Sequence, residues 1–378
     1  MPSLAGAFIS RRGRPFKRVS AAAMSFSQIL SPAAVASRAG AHAAGLRLVK
    51  FWLFAVAALI FLMVVVGGAT RLTESGLSIT QWAPVTGAIP PMGEEAWQAA
   101  FSAYKQIPQY HQLFPDMTLS EFKTIFLWEW SHRLLARVVG AAFILPLLIF
   151  WRAGFLRGGL GRQLLLPIGL LALEPIVGWW MVASGLSERV EVSQYRLAAH
   201  LLIATAAFGA LLWIAIGPGE RRSEAASSPF KWASGVLCAL VFCQIGFGAL
   251  VAGLRAGLID NTWPLMEGRL APATLFPTDP WWRSVFEDAT TAQFQHRLLA
   301  YVIVAFAVGL AFAATRAARG TKLAIGAVSL AALAIAQAAI GVVTLILSVP
   351  IPAGLLHQAF AMLLFGMATV QWRATLSA

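Results

Sequence analysis

The chain has 378 residues, of which 58% are hydrophobic and only 12% charged, and its formal net charge is +13. Its mean hydropathy of +0.72 excludes an ordinary soluble protein, whose composition is roughly half apolar and a quarter charged. The basic residues are spread along the chain and are not gathered into one soluble domain, so we expect no nucleic-acid partner. The composition predicts a polytopic membrane protein.

The first segment, residues 1–46, is rich in Arg, Ser and Ala and contains no Asp or Glu. We interpret it as a basic, disordered N-terminal tail of a bacterial protein. A transit peptide of an organelle protein has a similar composition and is the alternative interpretation.

Eight apolar stretches follow, each long enough to cross a hydrocarbon core ~30 Å thick, which takes ~20 residues. They predict an all-α fold with eight transmembrane helices. The stretches are roughly 48–68, 125–150, 163–184, 196–216, 232–252, 292–314, 322–347 and 352–373.

Lys and Arg lie mainly on one side of these predicted spans: before the first, and in the loops after the second, fourth and sixth. By the positive-inside rule, both termini and these loops are cytoplasmic. We therefore expect a multi-pass protein of the bacterial cytoplasmic (inner) membrane, surrounded by membrane lipid. The mitochondrial inner membrane is the alternative.

The chain reads as two related halves, 47–217 and 232–378, joined by a cytoplasmic linker, 218–231. The sequence HRLLA at 132–136 recurs at 296–300. Each half contributes four spans, so the repeats share one orientation and are related by an axis along the membrane normal. The sequence thus predicts two pseudo-symmetric four-helix bundles.

Four histidines lie near the outer ends of alternate spans: His132, His200, His296 and His357. An ionisable ring inside a membrane is costly unless it meets a partner or a ligand. Two imidazoles from neighbouring helices of a bundle can bind opposite faces of one haem, which pairs His132 with His200 and His296 with His357. Zinc is the rival, although it normally recruits Cys or carboxylate ligands beside His. Four buried histidines satisfied by backbone or hydroxyl groups are the structural alternative.

The two halves differ beside these histidines. Glu129 lies three residues before His132, and the second half has Gln293 at that position. A carboxylate at one site and an amide at the other predict one reacting site and one fixed cofactor site. The alternatives for Glu129 are a favourable charge at a helix N-terminus or a salt bridge to Arg133. Arg133 and Arg297 are candidate partners of haem propionates, with snorkelling to the membrane surface as the alternative.

Two long outer loops, 69–123 and 253–290, are predicted to form a partly ordered cap that includes an amphipathic segment at 94–107. His111 lies in this cap, and its role stays open. Glu174, opposite Gln337 of the second half, either lines a site or marks a kink beside a proline.

Cys238 and Cys243 both fall in the fifth span, so they cannot form a redox pair in an outer loop. We expect them to be small buried thiols.

Several motifs resemble those of the haem A synthases, membrane enzymes that oxidise haem O. They occur in register over about residues 47 to 373. The motifs are GGATRLTESGLSITQWAPVTGAIPP (67–91), EFKTIFLWEWSHR (121–133), GWWMVASGL (178–186), RLAAHL (196–201) and QFQHRLLAY (293–301).

This resemblance implies that His132 and His200 flank haem O as substrate, and that His296 and His357 ligate haem B as cofactor. It places Glu129 near the reacting C8 methyl group, which the family converts to a formyl group by two successive hydroxylations. The absence of an outer cysteine pair resembles the cysteine-free proteobacterial and mitochondrial branch.

The resemblance also implies an electron acceptor, which the sequence does not identify, and haem O synthase as a partner for substrate handover. Homo-oligomerisation is a further expectation. Two other functions stay open: a bis-histidine dihaem cytochrome b in membrane electron transfer, and a non-catalytic haem transporter or assembly factor. A dihaem conduit places its haems toward opposite membrane faces, whereas all four histidines here are predicted near one face.

Overall fold

The computed structural model describes residues 32–217, 228–317 and 319–376. Its regular structure in these ranges is helical, apart from one isolated bridge between Met266 and Arg269. The predicted all-α fold is therefore confirmed. The α-helices are α1 (Pro32–Leu72), α2 (Glu94–Tyr104), α3 (Pro108–Leu113), α4 (Leu119–Arg152), α5 (Gly159–Ala183), α6 (Gln194–Ile216), α7 (Ser228–Gly253), α8 (Ser284–Glu287), α9 (Ala289–Ala317), α10 (Lys322–Ile346) and α11 (Ile351–Leu376).

Within the described ranges, eight helices are long and apolar enough to cross a membrane. They are α1, α4, α5, α6, α7, α9, α10 and α11, in the order that the apolar stretches predict. The prediction of eight spans is confirmed, and the chain is a multi-pass membrane protein.

Some helix ends differ from the predicted limits. α1 begins at Pro32, inside the segment predicted as a tail, and residues 1–31 lie outside the described residues. Residues 218–227 of the predicted linker also lie outside the described residues.

α4 begins at Leu119 and not near residue 125, because Thr118 and Glu121 form a capping box. Such a box satisfies amide groups that the start of a helix leaves free.

The helices of the second half pack in a closed ring. α7 contacts α9, α9 contacts α10, α10 contacts α11, and α11 returns to α7. In the first half, α5 packs on α6. α4 meets α1 through Trp52, whose Nε1 donates to the carbonyl of Ala142 at 2.8 Å and whose ring stacks on Phe143. α6 connects the halves through α7 and α11. The division into two bundles stays a prediction.

The first of the two loops predicted to lie on the outer side, here called the first outer loop, contains the helices α2 and α3. α2 buries Phe101 and Tyr104 against the start of α4. The Tyr104 hydroxyl donates to Gln109 Oε1 at 3.1 Å, and Gln109 Nε2 donates to the carbonyl of Glu74 at 3.2 Å. Burial, and then the Glu74 and Glu129 carboxylates, raise the pKa of Tyr104 above its ordinary value. The phenol therefore stays a neutral donor, and this chain of hydrogen bonds holds the loop that reaches Glu129.

Candidate functional site

Each of the four histidine rings lies against a glycine of a neighbouring helix. A Cβ atom added to any of these glycines would lie 2.8–3.2 Å from the ring Cε1. At Gly67 and Gly341 the distance is below 3.0 Å, which real Cβ atoms almost never show, so a larger residue would displace the ring. At Gly178 and Gly248 it is 3.1–3.2 Å, so the ring would have to shift by a few tenths of an ångström. The pairs are Gly67 with His132, Gly178 with His200, Gly248 with His296 and Gly341 with His357.

In the second half, the rings of His296 and His357 meet edge to face, with centroids 6.3 Å apart and planes inclined by 76°. An imidazole nitrogen binds a metal ion such as zinc at ~2 Å, which places two rings on opposite sides of one ion with centroids on the order of 6 Å apart. The pair therefore has the spacing that ligation of one haem iron from both faces requires.

Two glutamine amides support this pair. Gln244 Nε2 lies 3.1 Å from Nδ1 of His296 and donates to that residue's carbonyl at 2.9 Å. Gln337 Nε2 lies 3.2 Å from Nδ1 of His357 and donates to its carbonyl at 3.0 Å. The same Gln244 nitrogen lies 3.4 Å from Nε2 of His296. Contacts of this kind fix the orientation of the imidazole rings.

The first half surrounds its pair differently. Nδ1 of His132 is buried and has no hydrogen-bond partner. Nδ1 of His200 lies 2.5 Å from Oε2 of Glu174, although the ring N–H does not point along this line. Glu174 on α5 therefore contacts a site histidine, which answers the open question about its position.

Glu129 is 2% exposed, and both of its carboxylate oxygens are occupied. Oε2 accepts hydrogen bonds from the Ser78 hydroxyl and the Ile79 amide, each at 2.7 Å. Oε1 accepts from Arg133 NH2 at 2.7 Å and Nε at 3.1 Å. The alternative of a salt bridge to Arg133 is thus present in the structure. Glu129 is a fixed buried charge that attaches the outer loop to α4, nearly one turn before His132.

Gln293 occupies the same place in the second half and is also 2% exposed. Its Nε2 donates to the carbonyl of Asp260 at 2.8 Å, and its Oε1 is buried without a partner. The outer loop is held there by a neutral amide. The difference in charge between the two sites, predicted from sequence, is therefore a difference between two buried side chains in equivalent places.

Both site arginines hold outer-loop carbonyls. Each guanidinium donates to two carbonyls at 2.9–3.1 Å, and Arg297 also donates to the carbonyl of Leu265 at 3.4 Å. These hydrogen bonds join the helix of the histidine to the neighbouring loop. The contacts are Arg133 to Ile79 and Gln81, and Arg297 to Asp260 and Thr262. The role of these arginines as propionate partners stays a prediction. A propionate bound there would accept hydrogen bonds from the same guanidinium groups that donate to the loop carbonyls.

The other predicted residues lie apart from the site. His111 is exposed on α3, with its ring edge against Tyr110. Cys238 is buried, with its Sγ 3.6 Å from the Thr369 hydroxyl. Cys243 is exposed, so the prediction that it is buried was wrong, because its side chain lies on an outward face of α7.

A zinc site finds little support among the described residues. No group of three His, Cys, Asp or Glu side chains converges there in a way that could hold a metal ion. Zinc normally takes at least three protein ligands, whereas bis-histidine ligation of a haem takes two. The donor set therefore fits haem better.

Comparison with known proteins agrees with this interpretation. The family model of the cytochrome oxidase assembly proteins matches residues 50–369. A haem A synthase of Beijerinckia indica is 50% identical over 91% of this chain and 98% of its own length. Those of Rhodopseudomonas palustris strain BisA53 and Bradyrhizobium diazoefficiens are 53% and 51% identical, over 88% and 86% of this chain and 92% and 91% of their own lengths. The chain therefore belongs to the haem A synthase family of cytochrome oxidase assembly proteins.

Proposed function

We propose that this protein oxidises the C8 methyl group of haem O to a formyl group by two successive hydroxylations, and so makes haem A. The second hydroxylation gives a geminal diol, which loses water to form the aldehyde. The observation that carries the proposal is the contrast between the buried carboxylate of Glu129 beside one histidine pair and the neutral amide of Gln293 beside the other.

In this proposal haem B is the resident cofactor, held by His296 and His357, and haem O is the substrate, held by His132 and His200. The spacing of the His296 and His357 rings and the amide at each Nδ1 support the cofactor assignment. A haem in that place supplies one-electron redox chemistry. The protein contributes ligation, orientation and the electrostatic surroundings of the reacting group.

Glu129 suits a transition state with positive charge. Oxidation of a methyl group attached to the macrocycle builds positive charge at that carbon, and a preorganised carboxylate stabilises it. Four hydrogen bonds hold the Glu129 oxygens, so the carboxylate does not reorganise during the reaction. Because its oxygens are already occupied by donors, we assign it a fixed charge and not the role of proton acceptor.

Aromatic side chains lie beside the arginine that binds Glu129. The rings of Trp82 and Trp179 lie 5.3 Å apart, and the Arg133 guanidinium lies 5.7 Å from the Trp179 ring. Glu129 itself is buried, and a site with little water strengthens electrostatic interactions inside it.

The positions of the histidines favour this function over a dihaem conduit. His200 and His357 are each six residues beyond the first residue of their helices, and His296 is seven residues beyond. These helices are alternate spans and so run in the same direction, which supports a position of these three histidines toward one membrane face. A conduit would place its haems toward opposite faces.

We further propose that the protein lies in the bacterial cytoplasmic membrane with both termini in the cytoplasm, because the basic loops lie on that side. Haem O synthase is the proposed donor of the substrate. The electrons removed from the methyl group pass to an acceptor that is a further partner. Homo-oligomers are also proposed, since apolar helix faces remain outward.

The test uses a bacterial host that lacks its own haem A synthase and makes haem O. Its membranes are extracted, and the haems are identified by mass. Expression of this protein is expected to produce haem A. Haem O alone, with the protein present at normal level in the membrane, would contradict the proposal.

A further inference from the structure

Three of the four site histidines are contacted at Nδ1 by a side chain from the helix whose glycine faces the ring. Four residues before the glycine, one helical turn away, stands the side chain that reaches Nδ1 of the ring. The sets are Gln244, Gly248 and His296; Gln337, Gly341 and His357; and Glu174, Gly178 and His200.

The fourth set breaks the pattern. Met63 stands four residues before Gly67. Its thioether sulfur cannot donate a hydrogen bond and is only a weak acceptor. Nδ1 of His132, which faces Gly67, is buried without a hydrogen bond. Nδ1 of His200 also makes no hydrogen bond, but it lies 2.5 Å from a Glu174 oxygen, and no such carboxylate contact is found at His132 in the described part of the chain. The cofactor pair has two amides, whereas the substrate pair has one carboxylate and one methionine.

Glu174 has the features of a residue kept for its histidine. It lies within a membrane span, where a carboxylate is costly unless it meets a partner. Its side chain is 15% exposed, and its Oε1 is buried without a hydrogen bond. His200 is the polar group that it contacts in the described part of the chain.

Partners at Nδ1 set the strength of a histidine ligand. A carboxylate at that nitrogen raises the basicity of the imidazole and fixes its orientation. A donating amide orients the ring without raising its basicity, and an unpartnered ring has neither support. The two ligands of the substrate haem therefore differ in strength, whereas those of the cofactor haem are alike.

We infer that His200, supported by Glu174, is the permanent anchor of the substrate haem, and that His132 is the ligand that detaches when haem O arrives and haem A leaves. Glu174 is then a positioning residue that acts through His200. This inference rests on the proposed function, because only a substrate must leave after each turnover. A cofactor, in contrast, is retained by two equally supported ligands.

The first experiment uses full-length protein purified from cells that make haem O and measures the transfer of its haems to apomyoglobin. Glu174→Gln copies the arrangement at Gln337. It is expected to weaken substrate haem binding about 10–100-fold, the usual cost of losing such a partner, while haem B transfer is unchanged. Met63→Gln gives His132 the amide that His296 has, and it is expected to slow transfer of the substrate haem several-fold.

The midpoint potential of the substrate haem separates this role from a structural one. Glu174→Gln is expected to raise that potential, because a carboxylate at Nδ1 stabilises the ferric state. Loss of haem without a change in the potential of the haem that remains would mean that Glu174 only shapes the helix beside Pro175, and would overturn the inference. So would a Met63→Gln protein that releases haem O as fast as the wild type.

Removal of the ligands gives a second, independent comparison. His200→Ala is expected to lose far more haem O than His132→Ala, and equal losses would overturn the inference. If the proposed function itself is wrong, the wild-type protein will hold haem B at both histidine pairs, or no second haem. Neither outcome can be confused with unequal or equal loss of haem O from the two variants.

Discussion

Glu74 and Arg255 occupy equivalent positions of the two repeats and contact each other, with Glu74 Oε1 2.5 Å from Arg255 NH2. Their numbers differ by 181 (255 − 74), as do those of the glycines 67 and 248 that face histidines. Arg255 also contacts Glu191, which pairs with Arg71 at 2.6 Å. An acid in one repeat and a base in the other allow two related loops to meet without repulsion of like charges.

Loss of this contact is expected to have a small effect. Arg255 is 40% exposed, so solvent screens its charge, and Arg255→Ala is expected to cost about 1 kcal/mol of stability or less. The coupling between Glu74 and Arg255 is measured by a double-mutant cycle on the thermal unfolding of the solubilised protein. Lys123→Ala, at a 3.7 Å pair with Glu94, is the control and is expected to leave stability unchanged. A coupling of several kcal/mol between Glu74 and Arg255 would refute the prediction.

Gly341→Ala is expected to reduce the haem B content severely. The added Cβ would lie 2.8 Å from Cε1 of His357, so the ring has to leave its position. Gly309→Ala, on the neighbouring helix α9, is the matched control because a Cβ there meets open space. This control is expected to keep its haem and to gain about 0.5–1 kcal/mol in helix stability. Haem content per chain is measured by absorbance, and equal content in both variants would argue against the close packing of the ring.

Asp260 is expected to make the stability of the second outer loop depend on pH. Burial alone would raise the pKa of Asp260, but hydrogen bonds from Thr262 and Glu267 and the charge of Arg297 hold the pKa below its ordinary value. A depressed pKa stabilises the fold above the unfolded value of about 3.9, and this contribution is lost as the pH falls through the folded value. Asp260→Asn should therefore unfold earlier than the wild type at pH 5–7, and the two proteins should unfold alike once the pH has fallen below the folded pKa of Asp260. A difference that persists at low pH would contradict this assignment.

Glu129→Gln is expected to keep both haems and to stop haem A formation, because the amide cannot stabilise positive charge at the methyl carbon. Ser78→Ala is the matched control: it removes one hydrogen bond to Glu129 and keeps the charge. We expect this control to lose roughly 10–100-fold in rate or less, since one hydrogen bond to a charged group contributes about 1.5–3 kcal/mol. Haem A yield per unit of membrane protein is the measurement. A normal yield from Glu129→Gln would remove Glu129 from the mechanism.

Much of the fold could be predicted from the sequence, because membrane spans are long apolar runs and the repeat HRLLA aligns the halves. The early start of α4 was missed because its first residues are polar. They are helical owing to the capping box at Thr118 and to the cap that packs on Phe122.

The candidate site could be predicted only in part. The histidines and Glu129 stand out because polar groups are rare in apolar runs. The contact of Glu174 with His200 and the hydrogen bonds of Glu129 to Ser78 and Ile79 join residues far apart in the chain. Such contacts depend on how helices and loops pack in three dimensions. The sequence did contain a signal for the contact of Glu174 with His200, because Glu174 lies four residues before Gly178, as Gln337 does before Gly341.

The most direct test of the whole account is the haem content of the purified full-length protein after expression in cells that also make haem O. The haems are extracted and identified by mass. We predict one haem B per chain, together with haem O or haem A at the second site. Haem B alone, at two per chain, would contradict the account and would indicate a dihaem electron-transfer cytochrome.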